Sequence, residues 1–358
     1  MLVSRSQTAA SVSALRYNSR AVSVLSYLSQ LLPLPQGFGR VEKWALHKVL
    51  HLPYNALSLN PLFYLHEAGG PTLRSVLVES YAARLRSSVS TAMGWQQHLL
   101  ELETTALDFL PMQRSLLGKW WPAFWDSEPF ALHLSEAYKL FPHNPAAHAA
   151  LVPRAALLCN PHGAGLHFKP QRVAGALLLP AILPGAGSVA AVCTVRLGAL
   201  LPAIRKHLNV PLVSALLELG KKSSPHIAMC LVKSLANAWC TSHRLHEQVR
   251  LPCVFGCLEA CDSLQHYWSC ARLWGVVSAA LGLQLPECVL GKLGFPVPTM
   301  GNVHAIFVAY HAYHTVKISH RDSVQTAIES QDFSTTLSVA LSSTRAALLL
   351  IRTGHSGH

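Results

Sequence analysis

Acidic residues are scarce in this chain of 358 residues, which has 17 Asp and Glu against 29 Lys and Arg and a formal net charge of +12. Such a balance favours a polyanionic partner, either a nucleic acid or an anionic membrane surface. No Asp or Glu precedes Glu42, and the five aspartates are dispersed along the chain. The 51% hydrophobic content is enough for real cores, which excludes a chain that is disordered throughout.

Cysteine is also unevenly used, and the spacing of the nine cysteines does not indicate a disulfide framework. They are sparse over most of the chain but crowd between residues 253 and 270. We expect no secretory signal peptide, which would place them in an oxidising compartment. We therefore expect reduced thiols and metal binding.

Charge is missing altogether from residues 173–195, a stretch long enough to cross a bilayer. Pro180, Pro184, Gly185 and Gly187 interrupt any helix in mid-span, where lipid offers no substitute hydrogen bonds. The surrounding segment, residues 141–201, is rich in Pro, Gly and Ala. We interpret it as a poorly ordered linker or insertion, with a membrane-associated helical protein anchored by residues 173–195 as the alternative.

The first 40 residues combine several arginines and serines with no acid, which allows two interpretations. One is a mitochondrial transit peptide. The other is an amphipathic helix over residues 11–32, because apolar residues recur at helical spacing until Pro33 ends the run. The helix explains the same residues, so we expect a nuclear or cytoplasmic protein.

Further apolar periodicity predicts a mainly α fold, and no region is rich in strands. In the helix over residues 41–49 we expect Trp44 to be part of the core, and Ser224-Pro225 is typical of a helix start. The chain divides into a helical region over 1–140, the linker over 141–201 and a second helical region over 202–358. The remaining predicted helices cover residues 75–89, 95–109, 200–208, 210–219, 225–239, 273–283, 307–316 and 339–351.

Four metal-ligand residues fall in one short window with the spacing C-x3-C-x8-H-x3-C: Cys253, Cys257, His266 and Cys270. Three thiolates and one imidazole can surround a tetrahedral Zn²⁺, and four protein ligands make the site structural because a catalytic zinc keeps an open position. Gly256 allows a tight turn in the first pair, and the second pair has the separation that shares one face of a helix. Cys261 can replace Cys257 in an alternative ligand set, and ordinary buried thiols are the structural alternative to a metal site.

Other residues of this zinc knuckle, residues 253–270, have expected supporting roles. Asp262 is placed to cap the helix that presents His266. The knuckle is too small to form a hydrophobic core without its metal. We therefore expect Trp239, Trp268 and Trp274 to pack against it.

Basic and aromatic residues around the ligands predict a nucleic-acid surface. The basic residues can neutralise phosphates, and two aromatic residues can stack on unpaired bases, which implies RNA or DNA binding without strong sequence specificity. A solvated charged face is the alternative. The candidates are Lys221, Lys222, Lys233, Arg244, Arg250, Tyr267, Trp268 and Arg272.

Several motifs together resemble one known family. They are Tyr17-Asn18-Ser19-Arg20-Ala21 with Ser26-Tyr27, Leu52-Pro53 after the Trp44 helix, Trp239-Cys240-Thr241-Ser242, and the knuckle followed by Leu273-Trp274. Over residues 17–86 and 219–274 the chain resembles the region carboxy-terminal to the polymerase core of a non-LTR (LINE-type) retrotransposon reverse transcriptase. The resemblance implies that residues 1–140 are thumb-like and that the Cys/His knuckle binds nucleic acid through a structural zinc ion. The final x3 spacing is slightly shorter than is usual in the family, which leaves the identity of the ligands open.

The chain departs from that family in its carboxylates. The polymerases of that family hold two Mg²⁺ ions through aspartates that include an adjacent Asp-Asp pair. No Asp-Asp pair occurs in this chain. We therefore expect a nucleic-acid-binding remnant of a reverse transcriptase that has no catalytic residues. A non-functional translated fragment is the remaining alternative.

Overall fold

The protein is described by a computed structural model and is mainly helical, as the sequence predicts. Among the residues that the structure describes there is no β-strand, and a single antiparallel bridge joins Pro252 and Cys261. The predicted helix over 95–109 and most of the linker over 141–201 lie outside the described residues, so the three-part division stays a prediction. The described residues are 10–29, 34–35, 37–53, 55–80, 82–83, 179, 188–248, 250–257 and 259–354.

The chain forms two compact units, and the ligand cluster belongs to the first. The first unit comprises Met1–Leu15, Lys43–Leu73 and Gly187–His358. The second unit comprises Arg16–Glu42 and Arg74–Ala186.

Two helices and a π-helical turn follow one another near the amino terminus: α1 (Ala10–Arg16), the π-turn Tyr17–Val22 and α2 (Ser23–Leu28). The predicted helix is confirmed over these residues, but its buried positions do not follow the apolar residues. Val24 and Leu28 are exposed, while Tyr17, Val22 and Ser26 are buried. A π-helical turn is wider than an α-helical one, so it rotates the following residues away from a pattern that assumes 3.6 residues per turn.

The second unit contains a buried carboxylate, Glu42, that is hydrogen-bonded to three other residues of that unit. Glu42 accepts hydrogen bonds from the Tyr17 hydroxyl at 3.0 Å and the Ser75 hydroxyl at 3.1 Å, and from the backbone N–H of Val76. Burial raises the pKa of Glu42, whereas these hydrogen bonds lower it. The bond to Val76 lies at the start of a helical stretch over residues 76–80, where orphan N–H groups favour a carboxylate.

Helix α3 (Phe38–Val49) contradicts the expectation for Trp44, whose side chain is 47% exposed. The buried positions are Glu42, Leu46, His47, Val49 and, just after the helix, Leu50, which follow the spacing of one helix face. Because one member of that face is a glutamate, apolar periodicity alone selects the wrong side. Trp44 instead lies beside Lys48, whose Nζ is 6.0 Å from the ring centroid.

The remaining elements belong to the first unit. They are α4 (Leu59–Phe63), the 3₁₀ turn Leu65–Ala68, α5 (Val189–Leu200), the 3₁₀ turn Pro202–His207, α6 (Val210–Lys221), α7 (Pro225–Leu235), α8 (Ser242–Leu245), α9 (Leu264–Ser269), α10 (Ala271–Leu281), α11 (Val289–Lys292), α12 (Met300–His314), the π-turn Thr315–Ser319, α13 (Arg321–Ser330) and α14 (Ser334–Gly354). The predicted start of α7 is confirmed, because the Ser224 hydroxyl accepts from the N–H of Ile227 at 3.4 Å.

Helix α12 is the centre of the first unit. It contacts α7, α10 and α14. Val303, Ile306, Phe307 and Val308 are all buried, although they point in different directions around the helix. A helix that is apolar on all sides is typical of a core position, so the elements that carry the cluster pack around α12.

Part of the predicted membrane anchor is a core helix. Residues 189–195 form the first half of α5, where Val189 and Cys193 are buried and the helix contacts α6. Residues 173–187 lie outside the described residues, apart from position 179. By length and composition alone, one described helix is apolar enough to span a membrane, Ser334–Arg352 within α14, and core helices of soluble proteins pass the same test.

Candidate metal centre

The structure brings the four predicted ligands together. One ligand atom from each of Cys253, Cys257, His266 and Cys270 lies within 4.8 Å of all the others. The Sγ atom of Cys270 is 3.9 Å from that of Cys253 and 3.8 Å from that of Cys257. With metal–sulfur bonds of about 2.3 Å, the sulfur–sulfur edge of an ideal tetrahedron is about 3.8 Å. This cluster can therefore hold a metal ion.

A tight loop places the first two ligands. The N–H of Cys253 donates to the carbonyl of Ala260 at 2.8 Å, and the N–H of Ala260 donates to the carbonyl of Cys257 at 3.0 Å. Between them the chain turns at Gly256, whose φ of +92° is strained for any residue with a Cβ. A Cβ there would also meet the Phe333 ring at 2.7 Å, so both the turn and the packing require glycine.

The other two ligands lie where α9 passes into α10. The Ser263 hydroxyl caps α9 by accepting from the N–H of His266 at 3.3 Å. Cys270 separates the two helices, and its Sγ accepts from the N–H of Leu273 at 3.5 Å in the first turn of α10. This N–H and the partial positive charge of the helix N-terminus oppose the rise in the pKa of Cys270 that its bond to Cys253 and its burial cause.

The imidazole of His266 fits the role of a ligand. Its Nε2 is buried and has no hydrogen-bond partner among the described residues. A buried polar atom without a partner is costly, and coordination to a cation would satisfy it.

The pKa values of the three thiols in the cluster are shifted in different directions. A hydrogen bond from the Cys270 thiol, with smaller contributions from His266 and backbone N–H groups, lowers the pKa of Cys253, although burial opposes this. Burial and the neighbouring Cys253 charge raise the pKa of Cys257. The bond to Cys253, together with burial, raises the pKa of Cys270. One thiolate therefore forms readily, whereas further ionisation needs a cation at the centre.

The spare cysteine and the flanking histidines lie outside the cluster. Cys261 is exposed and takes part in the bridge with Pro252, so Cys257 and not Cys261 belongs to the cluster that could hold a metal ion. His243 and His246 are exposed and lie outside the cluster.

Asp262 does not cap α9, which corrects its expected role; Ser263 does so. The Asp262 side chain is fully buried, and its Oδ1 accepts from the Tyr267 hydroxyl at 2.8 Å and the Tyr313 hydroxyl at 3.0 Å. Its Oδ2 accepts from the N–H of Ser242 at 2.7 Å and from Lys317 Nζ at 2.7 Å. This carboxylate joins the knuckle to α8, to α12 and to the π-turn that follows α12.

Sequence reasoning missed the partners of Asp262 on the far side of this network. Tyr313 and Lys317 lie 51 and 55 residues along the chain, so no local spacing connects them to the knuckle. The neighbourhood of Lys317 gives a weak signal, because a lysine within an apolar helical run needs a buried acidic partner.

The three tryptophans pack the knuckle as predicted, and all are buried. Trp239 stacks on Tyr267 and Tyr313, with ring centroids 5.9 and 5.0 Å apart. The Trp274 Nε1–H donates to the carbonyl of Tyr267 at 2.8 Å. The Lys292 Nζ donates to the carbonyl of Trp268 at 3.0 Å and lies 4.8 Å from the Trp274 ring centroid.

Three predicted nucleic-acid contacts are wrong because their side chains are buried. Lys233 is covered within α7, with its Nζ 5.9 Å from the Tyr310 ring, and burial lowers its pKa. The Tyr267 hydroxyl is occupied by Asp262, and Trp268 packs near Trp274 with ring centroids 6.2 Å apart. Neither aromatic ring can stack on a base from this position.

The other five candidates remain available. Arg244 is half-buried, and the exposed ones are Lys221, Lys222, Arg250 and Arg272. Arg272 lies beside the ligand loop, since its Nη1 donates to the carbonyl of Phe255 at 3.1 Å and its charge opposes the rise in the pKa of Cys257.

No family model, no curated protein and no solved structure matches this chain. The resemblance to LINE-type reverse transcriptases therefore stays a prediction that follows from the motifs.

Proposed function

We propose that the cluster binds one structural Zn²⁺ ion. Three sulfurs and an imidazole are soft or borderline ligands, which suit zinc and are poor ligands for Mg²⁺ or Ca²⁺. The tetrahedral sulfur–sulfur distances and the unsatisfied Nε2 of His266 support this assignment. Four protein ligands leave no position for a reacting water, so the ion stabilises the fold and performs no catalysis.

We further propose that the chain binds single-stranded RNA or DNA through this region, as a remnant of a retroelement reverse transcriptase without polymerase activity. The observation that carries the proposal is the placement of Arg272, whose exposed side chain is anchored to the carbonyl of Phe255 in the ligand loop. The loop that carries Cys253 and Cys257 thus fixes the positive charge of Arg272 at the surface. Lys221, Lys222 and Arg250 add charge along the same part of the sequence, and the excess of basic residues favours a polyanion.

Salt-dependent binding tests the proposal. We expect affinity for a single-stranded RNA to fall steeply as salt rises from about 50 to 200 mM, because phosphate contacts release counterions. A triple variant that replaces Lys221, Lys222 and Arg250 by Gln should reduce the slope of log K against log salt by about 2, since each single-strand contact contributes about 0.7. Fluorescence anisotropy over a salt series measures both quantities.

The matched control removes the same charge elsewhere by replacing the exposed residues Arg321, Arg345 and Arg352 with Gln. It should change the slope much less. Equal losses in the two triple variants would mean that only net charge matters, and binding that does not weaken with salt would refute the phosphate contacts.

A further inference from the structure

Two arginines of the first unit lie near enough for their charges to act on each other, and neither has an acidic partner among the described residues. Arg196 is on α5 and Arg244 is on α8. Neither forms an ion pair with any residue that the structure describes. The pKa of Arg244 is lowered by burial and also by the positive charge of Arg196, so the two guanidinium groups repel each other.

The unused atoms of Arg244 form a complete binding edge. Both Nε and Nη2 are buried and have no hydrogen-bond partner among the described residues. These two atoms present parallel N–H bonds on one side of the guanidinium, the arrangement that binds two oxygens of a phosphate or carboxylate. Leaving such buried donors unsatisfied is unfavourable, and hydrogen bonds to a bound anion would remove this penalty.

The surroundings of the pair are cationic. The Arg196 Nη2 donates to the carbonyl of Asn55 at 2.8 Å, and the Lys43 Nζ donates to the Oδ1 of the same asparagine at 3.3 Å. His47 lies one turn after Lys43 on α3, and its pKa is lowered mainly by burial, with contributions from the charges of Lys43 and Arg244. No carboxylate is bonded to Arg196 or Arg244 within the described part of the chain, so their charges remain available to an anionic ligand.

The site is open to solvent at its rim. Asn55 is exposed, and Lys43, Arg196 and Arg244 are each only partly buried. The Nε and Nη2 edge itself is covered, so binding requires a change in the side-chain torsions of Arg244. A half-buried arginine whose side chain forms no hydrogen bond with the described residues can make that change at little cost.

We propose that Arg196 and Arg244 form a binding site for a phosphate group, with Lys43 at its rim. The ligand is a backbone phosphate of the bound strand, a source that rests on the nucleic-acid-binding function proposed above. A free phosphate uses the same guanidinium edges. Arg196 and Arg244 hold the phosphate oxygens, and the anion removes the repulsion between the two cations.

Inorganic phosphate tests the site without any nucleic acid. Phosphate at about ten times its Kd should raise the Tm of the full chain by about 2–4 °C relative to sodium chloride of equal ionic strength. Arg196→Gln and Arg244→Gln should abolish this rise, and Arg244→Lys should weaken it because lysine keeps the charge but lacks the paired donors. The exposed Lys206→Gln is the matched control and should respond like the wild type.

RNA binding by the same variants separates the two sources of phosphate. Arg244→Gln should lower the salt slope by about 0.7, the contribution of one contact, and phosphate should compete with RNA. A phosphate-dependent Tm rise that needs both arginines, in a chain that binds no RNA, would uphold the site and overturn the proposed function. RNA binding with no specific phosphate effect on Tm and no change in Arg244→Gln would overturn the site alone. If the Gln variants fail to fold, the phosphate-dependent rise in Tm is compared between Arg244→Lys and the wild type. An equal rise in both would overturn the site.

Discussion

Replacing Cys257 by serine should remove one equivalent of zinc from the purified chain and destabilise the knuckle by at least about 3 kcal/mol, because zinc binding supplies much of the folding free energy of such small modules. Cys257 contributes one edge of the sulfur tetrahedron, at 3.8 Å from Cys270. Serine is a poor zinc ligand, so the variant keeps only two sulfurs and the imidazole as ligands. Elemental analysis gives the zinc content, and a thermal melt gives the loss of stability.

Cys261→Ser is the matched control for that experiment. Cys261 lies four residues from Cys257 in the same loop, is exposed and is not part of the cluster. We expect this variant to retain its zinc and its melting temperature. If Cys261→Ser loses zinc and Cys257→Ser keeps it, the ligand set is the alternative one that the spacing of the cysteines leaves open.

Replacing Asp262 by alanine should cost about 3–5 kcal/mol, because it removes one partner of a buried ion pair and leaves a buried cation. Lys317 would lose its bond of 2.7 Å, and its side chain is only 10% exposed. The hydroxyls of Tyr267 and Tyr313 would lose their shared acceptor as well. Urea denaturation of the full chain measures the change in the free energy of unfolding.

Glu247→Gln provides a control that acts on the same lysine. Glu247 is 3.8 Å from the Lys317 Nζ, but its side chain is 31% exposed, so its loss should cost less than about 1 kcal/mol. The double variant Asp262→Ala with Lys317→Met should recover part of the loss, since it no longer strands a charge. Equal effects of Asp262→Ala and Glu247→Gln would show that the buried network does not hold the knuckle in place.

The features that were predictable from sequence have local causes. The first two ligands are set by one turn at Gly256, and His266 and Cys270 are separated by one helical turn, so spacing alone brings each pair to one side. The start of α7 follows from Ser224 and Pro225, whose capping chemistry acts within three residues. Such signals do not depend on distant parts of the chain.

The features that were missed depend on distant contacts. Asp262 was assigned to a local cap, but its four donors come from α8, α9, α12 and the π-turn. Trp44 is exposed because Glu42 takes the buried position on the opposite side of α3. The chain positions of Lys233 and Tyr267 beside the ligands suggested a surface role, whereas packing against α12 buries both residues. Hydrophobic patterning does not reveal which polar residues find buried partners.

X-ray absorption at the zinc edge of the purified full chain tests the metal centre most directly. The proposed ligands predict three sulfurs at about 2.3 Å and one nitrogen at about 2.0 Å around a single four-coordinate ion. Cys257→Ser should lose this signal, while Cys261→Ser should keep it unchanged. A wild-type chain without zinc, or with an oxygen-rich or four-sulfur shell, would contradict the proposed centre.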